Sequence, residues 1–481
     1  MSNSLPRGRE SSRRKFIRNS VAGSAGLALP MFIPRTYLFG AQTPPSRRIN
    51  VAQIGCGRMG TEDLQGTMAH DLCRIVAVCD LDRKRLEKAR TSVEQFYKAK
   101  GESRVDVKAY SDYHEVLARP DVDAVIVTPP DHWHAIVAVE AVLAGKDLHV
   151  QKPLTYDIAE AIALRTAVRA KGRILQTGSQ QRSSKPWNTF RIATEAVRNG
   201  RIGQIKVIRV GIGQDKPKGQ PPKSQPVPPT FDYDTWLGPA PQQPYMEDRV
   251  HPQEGYGRPG WITTEDFGLG MITNWGAHHI DIAHWGMGME LSGPTSIEAR
   301  AGFMTGDVWT VHDTYHVEML YPNGVQLIMD NSYPNGIRFE GTEGWVFCAR
   351  GSAQVTASDP GAAKQADGRK SLDASDPKLL SAPLGADAKR WMASDNSYRN
   401  WLEAIAKRQD PIAPVDQAAR SLEACAAAWI GMKLKRKLTW DPKTERFVDD
   451  AEANAMCARK PRSSAYDLAR IVKAAAAPAK G

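Results

Sequence analysis

The chain has 481 residues, 41% of them hydrophobic and 24% charged, with a formal net charge of +11. That is the composition of a soluble globular protein, too long for one ordinary core, so two domains are expected; no apolar run approaches the roughly 20 residues that span a bilayer. Residues 1–41 carry seven basic groups and one acid, so the body is only weakly basic, which argues against nucleic acid as a partner.

Ser12-Arg13-Arg14-Lys15-Phe16-Ile17-Arg18 matches the twin-arginine export pattern, and a weakly apolar stretch follows from Val21 to Phe39. This is the layout of a removable signal over residues 1–41. It predicts a protein that folds first and is then carried out by the twin-arginine machinery, to a periplasmic or other extracytoplasmic location. The six cysteines (Cys56, Cys73, Cys79, Cys348, Cys425 and Cys457) are even in number, which invites disulfides. A chain that folds before export folds in a reducing compartment, so buried free thiols are expected instead.

Residues 46–178 read as a doubly wound parallel α/β sheet of the Rossmann type. An apolar strand from Ile49 to Ile54 runs into Gly55-Cys56-Gly57-Arg58-Met59-Gly60, and a second strand ends at Asp80. The glycines permit a tight turn and let backbone approach a pyrophosphate at a helix N-terminus. Asp80 suits a ribose diol and repels a 2′-phosphate, so NAD is favoured over NADP; Arg83, Lys84 and Arg85 soften that preference. Asp112 is placed to cap the helix that follows it. Strands over "DAVIVTPP", "DLHVQKP" and "RILQTG" alternate with helices over "HAIVAVEAVLAG" and "IAEAIALRTAVRAKG". The loops after those strands hold Thr128, Pro129, Pro130, Asp131, Gln151, Lys152, Gln181 and Arg182, and they should face the cofactor.

The second half, residues 179–440, is expected to form a substrate domain, with a tail over 441–481. Lys216 to Thr230 is too rich in proline for helix or central strand. Pro244 to Trp261 reads as a second long loop, in which His251, Tyr256 and Arg258 offer groups for a saccharide. Gly351 to Lys389 is polar and reads as a surface insertion. Helices are expected over "YRNWLEAIAKRQDPIAP" and "DQAARSLEACAAAWIGMKL", and the chain from Ala451 on as a loosely ordered end.

The glycine turn, "TPPDHWHA", "GKDLHVQKP" and "NWGAHHID" together resemble the Gfo/Idh/MocA oxidoreductases, over about residues 48 to 440. The resemblance implies a Rossmann domain followed by an α/β domain on a large, open, mostly antiparallel sheet, a sugar, polyol or glycoside substrate, and a homo-oligomer, dimer or tetramer. It puts His132 and His134 beside the cofactor and Lys152 beside the nicotinamide. Three positions depart from the family pattern. Glu-Lys-Pro stands here as Gln151-Lys152-Pro153, Pro-Asn-x-x-His as Pro130-Asp131-His132-Trp133-His134, and Asp-x-Gly-x-His as Asn274-Trp275-Gly276-Ala277-His278.

Taking hydride from a sugar hydroxyl requires a base for the O–H and a positive charge or donors for the developing alkoxide. Lys152 is the candidate charge and His278 the candidate acid/base. Asn274, one helical turn earlier, orients the hydroxyl or the imidazole. Gln181, Arg182, Trp187, Tyr256, Arg258, Trp275, His279 and Asp281 complete the candidate substrate set. His284 reads as a packed core histidine. Tandem histidines point apart on a helix and His-Glu-x-x-His is missing, so no metal site is expected. Two other readings share these residues: an NAD-dependent glycosidase working by transient sugar oxidation, and a non-catalytic sugar-binding protein.

Overall fold

The computed structural model describes residues 48–215, 223–351 and 370–476. The expected export signal lies outside these residues, as do parts of the proline-rich segment and of the Gly351 to Lys389 insertion.

Six strands form the first sheet: β1 (Ile49–Ile54), β2 (Cys73–Cys79), β3 (Lys108–Tyr110), β4 (Ala124–Val127), β5 (Asp147–Val150) and β6 (Leu175–Thr177). All are parallel, in the order β3-β2-β1-β4-β5-β6. The central strand β4 reads AVIV and is buried at all four positions, as a strand covered on both faces must be. Helices α1 (Arg58–Met68), α2 (Arg83–Ala99), α3 (Tyr113–Leu117), α4 (His134–Leu143) and α5 (Ile158–Ala170) alternate with the strands. Asp82, Asp112 and Asp157 start three of them by accepting a backbone N–H from Lys84, His114 and Glu160; each carboxylate satisfies a donor that the helix leaves open. The strand order reverses between β1 and β4, which is where ligands of such sheets sit.

The second half opens with α6 (Asn188–Arg198), and α7 (Gly276–Met287) follows further along the chain. Its sheet contains β7 (Ile205–Gly211), β8 (Ser296–Phe303), β9 (His312–Leu320), β10 (Gln326–Asp330), β11 (Gly336–Gly341), β12 (Gly344–Cys348), β13 (Leu372–Ala374), β14 (Leu438–Asp441) and β15 (Arg446–Phe447). Their order is β13-β12-β11-β7-β10-β9-β8-β14-β15, antiparallel except for β7 beside β10. In β9, Tyr315, Val317 and Met319 are buried while His316, Glu318 and Leu320 between and beyond them are not, so one face packs on helices and the other stays open.

Two later helices join the halves. From α8 (Ser397–Lys407), Trp401 and Leu402 pack into the core around β1 and β2. Along α9 (Val415–Leu434), Val415, Ala418, Ala419 and Leu422 belong to the core around β4 and α4, while Ala424 to Ala428, Ile430 and Met432 belong to the core of the second sheet. Residues 451–476 fold onto the body of the protein, contrary to the sequence expectation of a loosely ordered end. They form a short helix, Ala451–Ala455, and then α10 (Leu468–Ala476), whose Leu468, Ile471 and Val472 pack against the core around β4 and α4. Helical spacing of those three apolar residues is the physical reason. All six cysteines are free, and burial raises the pKa of each thiol.

Candidate active site

Past β1 the chain turns at Gly55, whose φ is 88° and where a β-carbon would lie 2.6 Å from the Thr128 carbonyl carbon. At Gly60 a β-carbon would come within 2.1 Å of the Gly55 oxygen. Both glycines are therefore required by protein packing. Gly57 is different: a β-carbon there would meet only Arg85 Nη1, at 3.6 Å. The bare backbone at Gly57 faces a cavity, so its missing side chain leaves space for a ligand at the start of α1.

That cavity, of about 910 Å³, follows the C-terminal ends of the first sheet. Gly55, Gly57, Arg58, Met59 and Asp80 line it, then Thr128, Pro129, Pro130 and His134, then Gln151, Lys152 and Asn274. Asp80 braces the glycine turn, its two oxygens accepting from the backbone of Cys56 at 2.6 Å and of Asp82 at 2.8 Å. Arg83 and Arg85 donate to the carbonyls of Pro229 and Pro252, each at 2.9 Å, and so hold an arm of the second half against this edge. His251 adds a contact to Asp82 at 3.0 Å. An open turn, a helix N-terminus and a strand-end carboxylate along one groove fit a dinucleotide.

At the other end, Lys152 Nζ donates to Asn274 Oδ1 at 3.1 Å. Lys152 comes from the loop after β5. Asn274 ends a short helical turn, Met271–Asn274, just before α7. His134 ties this loop to its neighbour, its ring nitrogens lying 2.7 Å from the Pro153 carbonyl and 2.9 Å from that of Pro129. Burial lowers its pKa to about 4, while the two carbonyls oppose that shift. Gln151 donates its amide to both oxygens of Asp63, at 2.9 and 3.0 Å. Asp63 also accepts from Tyr398 at 2.7 Å and Thr128 at 3.1 Å, and burial raises its pKa to about 6.

The Gfo/Idh/MocA oxidoreductase models match two stretches of the chain, the NAD-binding Rossmann fold over residues 49–179 and the C-terminal alpha/beta domain over residues 218–357. Together they take in more than half of it. The chain belongs to this family. It is 25% identical over 312 residues to a myo-inositol 2-dehydrogenase of Thermotoga maritima, covering 62% of this chain and 75% of that protein. It is 29% identical over 161 residues to a glycosyl hydrolase family 109 protein of Shewanella, covering 31% of this chain and 35% of that one. Among solved structures, the WlbA dehydrogenase of Bordetella pertussis in complex with NADH and UDP-GlcNAcA shares the fold, with a TM-score of 0.57 at 17% identity over 82% of this chain and 99% of that one.

Several residues expected at the site of this oxidoreductase lie off the cavity. Arg182 donates to Asp281 through Nε and Nη2, both at 2.7 Å, in an ion pair buried between α7 and the loop after β6. The two charges pair with each other there, and neither residue lines the cavity. His279 lies 3.1 Å from Asn335 Oδ1, and His284 pairs with the Tyr321 hydroxyl at 2.7 Å. Trp187 and Trp275 flank the Arg350 guanidinium, at 4.2 and 4.5 Å from the ring centres. With its amide oriented to suit both neighbours, Gln181 donates to the His278 carbonyl and accepts from Arg350 Nε. Arg258 binds Asp215 at 2.8 Å, and Tyr256 lies under Arg85 and Lys88. His132 is 2.9 Å from the Trp236 carbonyl, and Cys56 turns its thiol into the core. His278 is 5% exposed and does not line the cavity. Burial, Arg350 and Lys152 push its pKa well down, and its Nδ1 has no hydrogen-bond partner.

Three contributors escaped the sequence. Trp261 lines the reaction end of the cavity, and Ala465 and Tyr466 from the tail line it near Tyr113 and Trp133. Asp131 also lines it, though it is only 5% exposed. The motif "TPPDHWHA" pointed to Asp131; nothing in the sequence pointed to the tail. Among the described residues no group of three or more His, Cys, Asp or Glu is arranged for a metal ion, and no helix is long and apolar enough to cross a membrane.

Proposed function

We propose that this oxidoreductase is exported and moves hydride between a sugar or glycoside hydroxyl and a tightly held NAD. The observation that carries the reading is the Lys152–Asn274 hydrogen bond at one end of a groove whose other end is the Gly57 and Asp80 cradle. The glycine turn and Asp80 would hold the pyrophosphate and ribose, and the bound nicotinamide supplies a hydride acceptor. Lys152 places a positive charge where an alkoxide develops, and Asn274 fixes the ammonium and orients the hydroxyl. Sugar hydroxyls suit such a site because they accept and donate to the same two side chains.

Two features favour a captive cofactor. The arm from Pro229 to Pro252 is bonded to Arg83 and Arg85 along one edge of the groove. The tail is pinned to that same arm, Arg462 donating to Asp234 at 2.7 Å and to the Gly238 carbonyl at 2.9 Å. Export itself rests on the twin-arginine pattern, and a protein working outside the cytoplasm gains from keeping its nucleotide. The open face of the second sheet is the surface for a homo-oligomer.

The similarity to a glycosyl hydrolase family 109 protein favours a second reading, in which the sugar is oxidised in place, loses its glycosidic bond by elimination, and takes the hydride back. One experiment separates them. The purified protein is denatured and the released nucleotide identified; the native protein is then given aldoses, inositols and aryl glycosides. Stoichiometric NAD(H) with net nucleotide reduction supports the oxidoreductase. Release of free sugar without net reduction supports the glycosidase. No nucleotide and no binding on titration leaves a non-catalytic sugar-binding protein.

A further inference from the structure

Asp131 starts the short helical turn Asp131–Trp133 that follows β4, and it lines the cavity. It shares that lining with Lys152, Asn274 and Trp261. The opposing backbone makes room for it: a β-carbon at Gly268 would lie 3.1 Å from Asp131 Oδ2. The charge that acts on Asp131 is Lys152. On its own turn, His132 and His134 lie against backbone carbonyls, and burial lowers the pKa of both rings. From the tail, Arg459 donates to the His132 carbonyl. Asn274 and Trp261, which line the same cavity from the second half, carry no charge.

The other candidates for the hydroxyl proton are poorer. Asn274 cannot take one. His278 stands off the cavity, and its surroundings oppose the imidazolium. Asp63 is enclosed by Gln151, Tyr398 and Thr128.

We propose that Asp131 is the residue that exchanges the hydroxyl proton with the substrate. This rests on the oxidoreductase reading above. In the oxidative direction the carbinol C–H bond breaks and its electron pair leaves as hydride to NAD. The O–H bond breaks, its proton goes to a carboxylate oxygen of Asp131, and the C=O bond forms; reduction returns both. Lys152 carries the transient negative charge on the oxygen. Burial raises the Asp131 pKa to about 7, so the carboxyl can both hold and release a proton near neutral pH. The arrangement also accounts for the paired departures in the sequence, where an acid stands at 131 and an amide at 274.

The test compares wild type with Asp131→Asn and with the double variant Asp131→Asn/Asn274→Asp. Protein labelled with ¹³C in its aspartate carboxyls and saturated with NAD is titrated by infrared difference spectroscopy. Reduction of the nucleotide by myo-inositol and by D-glucose is followed as a function of pH. We expect the aspartate carboxyl signal titrating near pH 7 to lose one group in Asp131→Asn, the group that remains being Asp157, which burial raises to the same range. We also expect at least about a 100-fold slower reduction, with KM nearly unchanged and the limb near pH 7 abolished. The double variant should regain part of the rate and a pH limb, because it restores a carboxylate to the site. Asp131 ionised throughout pH 5–9, or an Asp131→Asn rate within threefold of wild type, overturns this inference alone. Failure of every sugar to reduce the nucleotide, with the Asp131 titration intact, overturns the oxidoreductase reading instead.

Discussion

Gln151 reaches back from the loop after β5 and donates to both carboxylate oxygens of Asp63, at 2.9 and 3.0 Å. This explains an amide where the family motif has an acid. A glutamate at 151 would set two buried carboxylates against each other, and one would have to stay protonated. Gln151→Glu should therefore destabilise the fold by about 3 kcal/mol or more near pH 8, and by less near pH 5, where a shared proton relieves the repulsion. Thermal melts of both proteins at the two pH values check this. An equal loss at both would mean the carboxylates do not interact.

Asp63 itself should leave a signature on stability. Its pKa is raised from 3.8 to about 6 by burial, so the folded state binds more protons than the unfolded state between those values. Stability must then fall as pH rises from about 4 to 6, by about 3 kcal/mol for a shift of this size. Asp63→Asn keeps the shape and should flatten that slope. Denaturant unfolding at pH 4.5 and 6.5 measures it, and an unchanged slope in the variant would assign the effect to another group.

Lys152→Ala should separate chemistry from binding. The lysine lies at the Asn274 end of the groove, away from the Gly57 and Asp80 cradle, so NAD should still be retained. Hydride transfer should fall by about 100- to 1,000-fold, the usual effect of removing one electrostatic partner of a developing oxyanion. Nucleotide content after denaturation and the single-turnover reduction rate are the two readouts. Loss of nucleotide together with rate would make Lys152 a binding residue.

How far the sequence could be read depended on whether the signal was local. The strand-turn-helix of Ile49 to Met68 and the buried run Ala124 to Val127 declare themselves by spacing and apolar content. Lys152 and Asn274 are each singled out by the family resemblance, but the hydrogen bond between them joins residues 122 apart in the chain and only the fold reveals it. The tail does not declare itself, because Arg459 and Arg462 act through partners more than 200 residues away, Glu160 and Asp234. The polar residues of α7 misled for a related reason. A run of His278, His279 and Asp281 looks like a site, but a helix buried on all sides must satisfy every polar side chain somewhere; His279 and Asp281 are answered by Asn335 and Arg182, and His284, a packed histidine as its sequence position suggests, by Tyr321.

The tail makes its own prediction. Arg462→Ala removes the donors that join the tail to Asp234 and Gly238, loosening the wall that carries Ala465 and Tyr466. Loss of charge-assisted bonds of this kind should speed NAD dissociation by about tenfold without changing hydride transfer in the loaded protein. Stopped-flow displacement of bound NADH reports the first, and single-turnover reduction the second. An unchanged off-rate would mean that the tail does not restrain the nucleotide.

The buried Arg182–Asp281 pair separates a structural role from a substrate-binding one. Both side chains are no more than 2% exposed. Asp281→Asn leaves the guanidinium without its counter-charge, which in a dry interior costs about 3–5 kcal/mol. The melting temperature should drop sharply. Arg182 and Asp281 do not line the cavity, so KM for a sugar substrate should stay the same in the fraction that remains folded. A raised KM with an unchanged melting temperature would mean that the pair opens to bind sugar.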